Sequence, residues 1–267
     1  MNREKYLYPE NEAPLDTLVE GYSNTSIFRT IAFVGDSMSS GEFETCDENG
    51  KHGYHDMFEY SWGQFMARAA GFTVCNFSRG GMTASEYMGG YGAANGWFDK
   101  EKAAQAYIIA LGVNDLYNRR DPVGVVADCE TGAKTFAGYY GRLIKAYKGI
   151  SPEAKFFLVT FPQEDRRADD ALTVLGEAHR KLLYDFAEYF DNSYVIDLWQ
   201  YAPVYDAAFR KQFFLGGHMS PAGYVFTAKM FLTYIDWIIR HNMQDFKQVG
   251  FIGTGLRNTV DQAIGSK

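Results

Sequence analysis

Three polar side chains able to share one reaction lie far apart in the chain: Ser37 in TIAFVGDSMSSG (30–41), Asn114 in LGVNDLY (111–117) and His218 in FLGGHMSPAGY (214–224). Nucleophilic acyl transfer needs a hydroxyl, a base within hydrogen-bond reach and donors aimed at a developing oxyanion. Ser37 supplies the hydroxyl, His218 the imidazole and Asn114 a side-chain amide. The SRGG turn at Gly80 and Gly81 can add a backbone N–H with no Cβ in front of it. Taken alone, Ser37 reads as a turn residue that ends a strand. With Asn114 and His218 at matching strand ends, the weight moves to catalysis. A phosphate loop does not fit, because GDSMSSG lacks the G-x-x-x-x-G-K-[ST] spacing and no lysine follows.

The elements that must position these residues are legible as runs. Apolar, β-branched segments of strand length occur at 30–35, 72–77, 106–112, 155–161 and 193–198. They are continuous rather than alternating, the pattern of strands covered on both faces. Helical periodicity fills 62–71, 135–149, 170–190 and 222–243. Alternating strand and helix predict an α/β fold: a three-layer, doubly wound, flavodoxin-like α/β/α sandwich around a mainly parallel five-stranded sheet. In such sheets ligands sit outside the carboxyl ends of the strands, where GDSMSSG, NFSRGGMT, LGVNDLY and FPQED fall. No Gly/Ser linker divides the chain. The expected organisation is an N-terminal arm (1–28), one catalytic domain (29–243) and a C-terminal extension (244–267) packing on the domain or on a neighbouring subunit. A long loop is expected between Ser37 and Trp62.

Composition narrows the partners. The 267 residues carry a net charge of −7 and an isoelectric point near 5.3, and no basic cluster goes beyond short pairs such as Arg119-Arg120 and Arg166-Arg167. No nucleic acid is expected, since phosphate contacts need a concentrated basic face. No apolar stretch approaches membrane-span length and the first residues show no leader-like apolar run, so no membrane partner and a cytoplasmic location are expected. Cys46, Cys75 and Cys129 form an odd, widely spaced set without metal spacing. His52, His55, Asp47, Glu48 and Asp56 crowd the loop after Ser37, but scattered acids around His-x-x-His read as a solvated, substrate-facing segment; no metal and no cofactor are expected. His179 and His241 sit in helical patterns as surface or packing residues. Tyr54, Phe58, Tyr60, Tyr91, Trp97 and Phe98 flank the first two site segments, either lining a pocket or anchoring loops.

FVGDSMSSG, NFSRGGMT, LGVNDLY and GGHMSPAGY, in that order across about 31–240, resemble the four blocks of the SGNH hydrolases, the GDSL esterase/lipase superfamily. The resemblance implies Ser37 as nucleophile and, through its own N–H, as oxyanion donor. It implies Gly81 as the second donor, with Gly80 the alternative, Asn114 as the third, and His218 as base. Asp36 and Asp115 are expected to fix their loops by accepting backbone N–H bonds. One position departs from the family, which places an aspartate three residues before its histidine; here that position is Leu215. Either a Ser-His dyad operates, the favoured reading, or a carboxylate arrives from elsewhere. Glu164 and Asp165 are nearest by topology, and Asp47 is a further candidate. The implied activity is carboxylic ester hydrolysis through an acyl-enzyme, with short O-acyl groups on carbohydrate or a similar small molecule as the leading substrate. Lipase, lysophospholipase or aryl esterase activity, acyl transfer to another acceptor, and a ligand-binding module that has lost its chemistry are the alternatives. The long arm and tail hint at a homo-oligomer.

Overall fold

Residues 30–35 are apolar throughout because both sides of that strand are covered. Ile31 and Phe33 enter a cluster with Trp62, Met66, Phe231 and Ile235, while Ala32 and Val34 enter a second one with Leu143, Ile144, Leu183 and Phe186. This is the period-two alternation of a strand between two helical layers. Residues 106–109 and 156–159 divide in the same way between the two clusters.

The computed structural model describes residues 8–9, 11–21, 23–165 and 171–259. Its strands are β1 (Thr30–Gly35), β2 (Glu42–Cys46), β3 (His52–Asp56), β4 (Thr73–Ser78), β5 (Ala106–Ala110), β6 (Lys155–Val159), β7 (Ser193–Ile196), β8 (Phe214–Leu215) and β9 (His218–Met219). The main helices are α1 (Ser37–Ser40, one turn), α2 (Trp62–Ala70), α3 (Phe136–Ile150), α4 (Ala171–Tyr189), α5 (Ala207–Phe213) and α6 (Pro221–His241). The central sheet runs β4-β1-β5-β6-β7 and is parallel in every pairing. Helices α2 and α6 cover one face; α3 and α4 cover the other. The expected three-layer sandwich is the observed one, and its strand order reverses at β1, the switch point of doubly wound sheets.

The helix starts follow from local chemistry. Ser61 Oγ accepts from Gln64 N–H at 3.2 Å, Thr135 Oγ1 from Gly138 N–H at 3.0 Å, and Ser220 Oγ from Gly223 N–H at 3.3 Å, with Pro221 at the first helical position. Each satisfies a donor that a helix end leaves unpaired.

The segment between Ser37 and Trp62 is more ordered than the expected loop. β2 and β3 pair antiparallel, from Glu42 opposite Asp56 to Cys46 opposite His52. Phe43 is the buried residue of the hairpin, so the strands carry no apolar alternation. The available signal was the Asn49-Gly50 pair: Gly50 takes φ +77°, and the Asp47 carboxylate accepts both Asn49 and Lys51 N–H at 2.9 Å, as a hairpin turn requires.

The arm is strapped to α6 by Val19 N–H to Thr233 Oγ1, 2.9 Å, Asn24 N–H to Asp236 Oδ1, 2.7 Å, and the Arg240–Glu12 ion pair, 2.7 Å. In the tail, Phe246, Val249 and Ile252 join the first apolar cluster, and Arg29 Nη1 donates to Gly250 O at 2.8 Å. Arg166, Arg167 and the outermost parts of the arm (1–7) and the tail (260–267) lie outside the described residues. Among the described residues no helix is long and apolar enough to cross a membrane.

Phe33 ties the sheet to its outer layer. Its ring meets Trp62 edge-on with centroids 4.6 Å apart, and a Cβ at Gly63 would lie 2.6 Å from it. Phe33→Ala should cost about 3–5 kcal/mol of stability, the range for emptying a buried aromatic site. Urea unfolding checks this; a loss below about 1 kcal/mol would mean the layers close up freely.

Candidate active site

Ser37 is the first residue of α1, directly after β1. As such its N–H has no partner inside the helix. Asp36 caps the turn, with Oδ1 accepting Met38 N–H at 3.0 Å. Gly41, at φ +79°, ends it, and Ser40 Oγ donates to Asp56 Oδ1 at 2.5 Å, pinning the turn to β3. A Cβ on Gly35 would meet Ser39 and the Ala110 carbonyl, so glycine is what lets strand change into turn there.

The loop after β4 lies alongside, with Arg79 N–H donating to Gly35 O at 3.3 Å. Gly81 has φ +70°, inside a turn closed by Met82 N–H to Arg79 O, 3.1 Å. Asn114 stands on the widened helical turn Val113–Asn118 after β5. Asn118 Nδ2 donates to its Oδ1 at 2.7 Å, which leaves the Asn114 Nδ2 to face Met82 O at 3.1 Å and Asp36 Oδ2 at 3.5 Å. Asp115 accepts Ala84 N–H at 2.9 Å. Both aspartates therefore hold loops through backbone donors.

His218 lies on β9, paired opposite Leu215 of β8. Its ring is 16% exposed and sits between two carboxylates of β2: Nε2 is 3.0 Å from Glu42 Oε1, and Nδ1 is 3.5 Å from Glu44 Oε2. Tyr54 of β3 meets the ring edge-on with centroids 5.6 Å apart. Among the described residues no hydrogen bond joins Ser37 Oγ to His218; such bonds are often long without substrate and tighten when it binds.

Ser37, Gly81, Asn114 and His218 line one cavity of about 610 Å³, with Gly80, Glu42, Tyr54, Tyr117, Asn118, Glu164 and Arg210 among its other walls. Of the carboxylates expected from topology, Glu164 lines the same cavity beside Arg210, 3.4 Å away, and Asp165 is exposed. Asp47 serves the hairpin turn. The acids that touch the imidazole, Glu42 and Glu44, escaped the sequence reading. Their signal was spacing: i and i+2 on one strand share a face, legible only once the hairpin is drawn.

The remaining candidates take structural places. His52 Nδ1 pairs with Glu44 Oε1 at 2.6 Å and His55 with Thr45 Oγ1 at 3.1 Å; among the described residues no group of three His, Cys, Asp or Glu could hold a metal ion. His179 is fully buried, stacked on Phe161, and burial pushes its pKa down to about 3, so it stays neutral. His241 stacks on Trp237. Of the flanking aromatics Tyr54 lines the cavity, whereas Trp97 and Phe98 pack on Tyr87 and Tyr91 packs on Trp97.

Residues 33–226 match the model of the GDSL-like lipase/acylhydrolase family. No curated protein sequence is similar enough to count as a match. Among solved structures, a carbohydrate esterase family 2 enzyme with a carbohydrate binding domain, from Corynascus thermopiles (Myceliophthora fergusii), superposes with a TM-score of 0.59 at 15% identity, over 79% of this chain and 66% of that one. A family two carbohydrate esterase from Clostridium thermocellum in complex with cellohexaose gives 0.56 at 14%, over 86% and 67%. A psychrotrophic esterase from Pseudoalteromonas sp. inhibited by monoethylphosphonate gives 0.53 at 14%, over 79% and 98%. At these identities the likeness is one of fold.

Burial pushes the carboxyls of Asp36 and Asp115 up to about 7, against the backbone bonds that pull them down. A raised folded-state pKa means the folded chain keeps a proton that the unfolded chain releases near pH 4. Stability from this source is full below that pH and is lost as pH rises through about 7. Asp115→Asn keeps an oxygen for Ala84 N–H and removes the titration. Its unfolding free energy should fall between pH 5 and 8 by about 2 to 4 kcal/mol less than that of the wild type. Urea titrations at each pH measure this, and parallel curves would refute it.

Proposed function

The chain belongs to the GDSL-like lipase/acylhydrolase family, and from that membership we propose that it is a serine esterase that removes short O-acyl groups from carbohydrate or a similar small polyol through an acyl-enzyme. The observation that carries the reading is the meeting of Ser37, Gly81, Asn114 and His218, from four separate chain segments, in the lining of one cavity. In the proposed cycle His218 Nε2 turns from Glu42 toward Ser37 and takes its hydroxyl proton as Oγ adds to the ester carbonyl. The oxyanion is met by the N–H groups of Ser37 and Gly81 and by the Asn114 amide. Collapse expels the alcohol, which leaves with the proton from Nε2. Water, deprotonated by the same nitrogen, then adds to the acyl-enzyme and releases the acid and Ser37.

Two features support the substrate class. Behind the Ser37 turn lies an apolar cavity of about 90 Å³ that shares Met38, Val113, Phe161 and Tyr205 with the larger one; it has room for a short acyl chain and not a long one. On the alcohol side the larger cavity presents Asn118, Glu164 and Arg210 and the ring of Tyr54, 58% exposed, a set able to bond hydroxyls and to stack on a sugar ring. The alternative, a binding module without turnover, draws on the Glu42 contact that occupies Nε2.

A serine-directed fluorophosphonate separates the two: it should label the wild type and not Ser37→Ala, and an unlabelled wild type would favour the binding module. In an aryl ester series, acetyl and butyryl esters should be cleaved faster than octanoyl; strong preference for octanoyl would overturn the short-chain assignment. Asn114→Ala should lower kcat about 10²- to 10³-fold, the effect of removing one oxyanion donor, with steady-state kinetics as the check.

A further inference from the structure

The glycines around His218 and Gly80 are where two carboxylates press against backbone. A Cβ on Gly216, which has φ +63°, would lie 2.6 Å from the Glu44 carboxyl carbon, and one on Gly217 3.1 Å from Glu44 Oε2. A Cβ on Gly80 would collide with Glu42 Oε2. The Gly-Gly-His sequence is thus a cradle for the Glu44 carboxylate, which Gly217 N–H bonds on Oε2 and His52 Nδ1 bonds on Oε1 at 2.6 Å. The Glu44 side chain is 9% exposed. Above it, the buried His218 Nδ1 has no hydrogen-bond partner, an orphan of the kind native structures rarely leave. The atom it faces is Glu44 Oε2, 3.5 Å away.

We propose that Glu44 is the positioning residue for His218, doing from β2 what an aspartate at position 215 would do, while Glu42 is a carboxylate that substrate must displace from the other nitrogen. The inference rests on the esterase reading. A neutral imidazole has one donor nitrogen and one acceptor nitrogen. To take the Ser37 proton at Nε2 it must carry its own at Nδ1, and an anion beside Nδ1 both favours that tautomer and stabilises the imidazolium that forms. Glu44 meets this need: the Gly217 N–H bond, followed by the His52 contact, holds its carboxyl below the ordinary glutamate range. Glu42 is placed for the opposite effect, since a carboxylate bonded to Nε2 must release it before that nitrogen can act as a base. Leu215 cannot substitute, being apolar and 46% exposed.

The test uses the full-length protein with Glu44→Ala, Glu44→Gln, Glu44→Asp and Glu42→Gln, each checked for folding by its thermal transition. With a short aryl ester, Glu44→Ala and Glu44→Gln should lose about 10²- to 10³-fold in kcat with KM within about threefold, and Glu44→Asp should recover most of that loss. Glu42→Gln should raise kcat/KM about two- to tenfold, because the charge-assisted bond at Nε2 is weakened. Nitrogen-15 spectra of histidine-labelled Glu42→Gln protein, in which no carboxylate holds a proton on Nε2, should show His218 protonated at Nδ1, and mixed between nitrogens once Glu44→Ala is added. If Glu44→Ala keeps its kcat within about threefold and leaves the His218 spectrum unchanged when added to Glu42→Gln, the role of Glu44 is refuted; if Glu42→Gln loses activity instead, Glu42 is the supporting acid and the assignment of the two carboxylates is overturned. Should the wild type neither cleave esters nor take the fluorophosphonate, the esterase reading fails on its own, and the nitrogen spectra still decide whether Glu44 sets the tautomer.

Discussion

The site depends on the reversal of strand order at β1. Because β4 and β5 flank β1 on opposite sides, the connections leaving β1 and β5 pass to opposite faces of the sheet, and a crevice opens between the turns at their carboxyl ends. Ser37 stands on the first of those turns, Asn114 on the second, and the Gly80-Gly81 loop leaves the neighbouring strand. Parallel pairing of three strands in one register makes their ends level, so three loops of unrelated sequence meet at one height. The buried Asp115 then ties the turn after β5 to the loop after β4 through Ala84 N–H, while the buried Asp36 caps its own turn and accepts Asn114 Nδ2 at 3.5 Å.

The fourth component comes from outside the sheet. His218 is carried by a two-residue strand just before α6, and α6 is anchored along its length in the first apolar cluster. The imidazole is therefore set by the docking of a helix, while its carboxylate neighbours are set by a hairpin whose own core is little more than Phe43. Tyr224 of α6 joins these parts: its hydroxyl donates to the Glu42 carbonyl at 2.7 Å, and its ring meets Phe43. Helix and hairpin are thus joined into one support for the imidazole and its acids.

Polarity is unevenly placed around this support. The small cavity behind the Ser37 turn is almost wholly apolar, whereas the large one carries Glu42, Asn118, Glu164 and Arg210. An ester has the same asymmetry when a short acyl group is joined to a polyol. In the proposed cycle the low-dielectric side would strengthen the fields of the oxyanion donors, and the wet side would let an alcohol leave and water enter.

The sequence by itself determined the layers and singled out Ser37, Asn114 and His218, which the structure brings to one cavity. Continuous apolar runs such as 30–35 can be satisfied only by cover on both faces, and Gly-Asp-Ser and Gly-x-Asn-Asp fall where two of those runs stop, while Gly-Gly-His precedes the start of α6. Strand and helix limits read this way agree with the observed elements to within a few residues. What only the tertiary structure decided is which acids reach the imidazole. Glu42 and Glu44 lie in strands without apolar periodicity, and the bond from Gly217 to Glu44 spans 173 residues of chain. Topology alone pointed to Glu164 and Asp165 because it ranks neighbours by strand end. A hairpin folding back over the crevice obeys no such ranking: its place is set by a few side-chain contacts and by the absence of a Cβ at Gly80 and Gly216, terms that local sequence pattern does not carry.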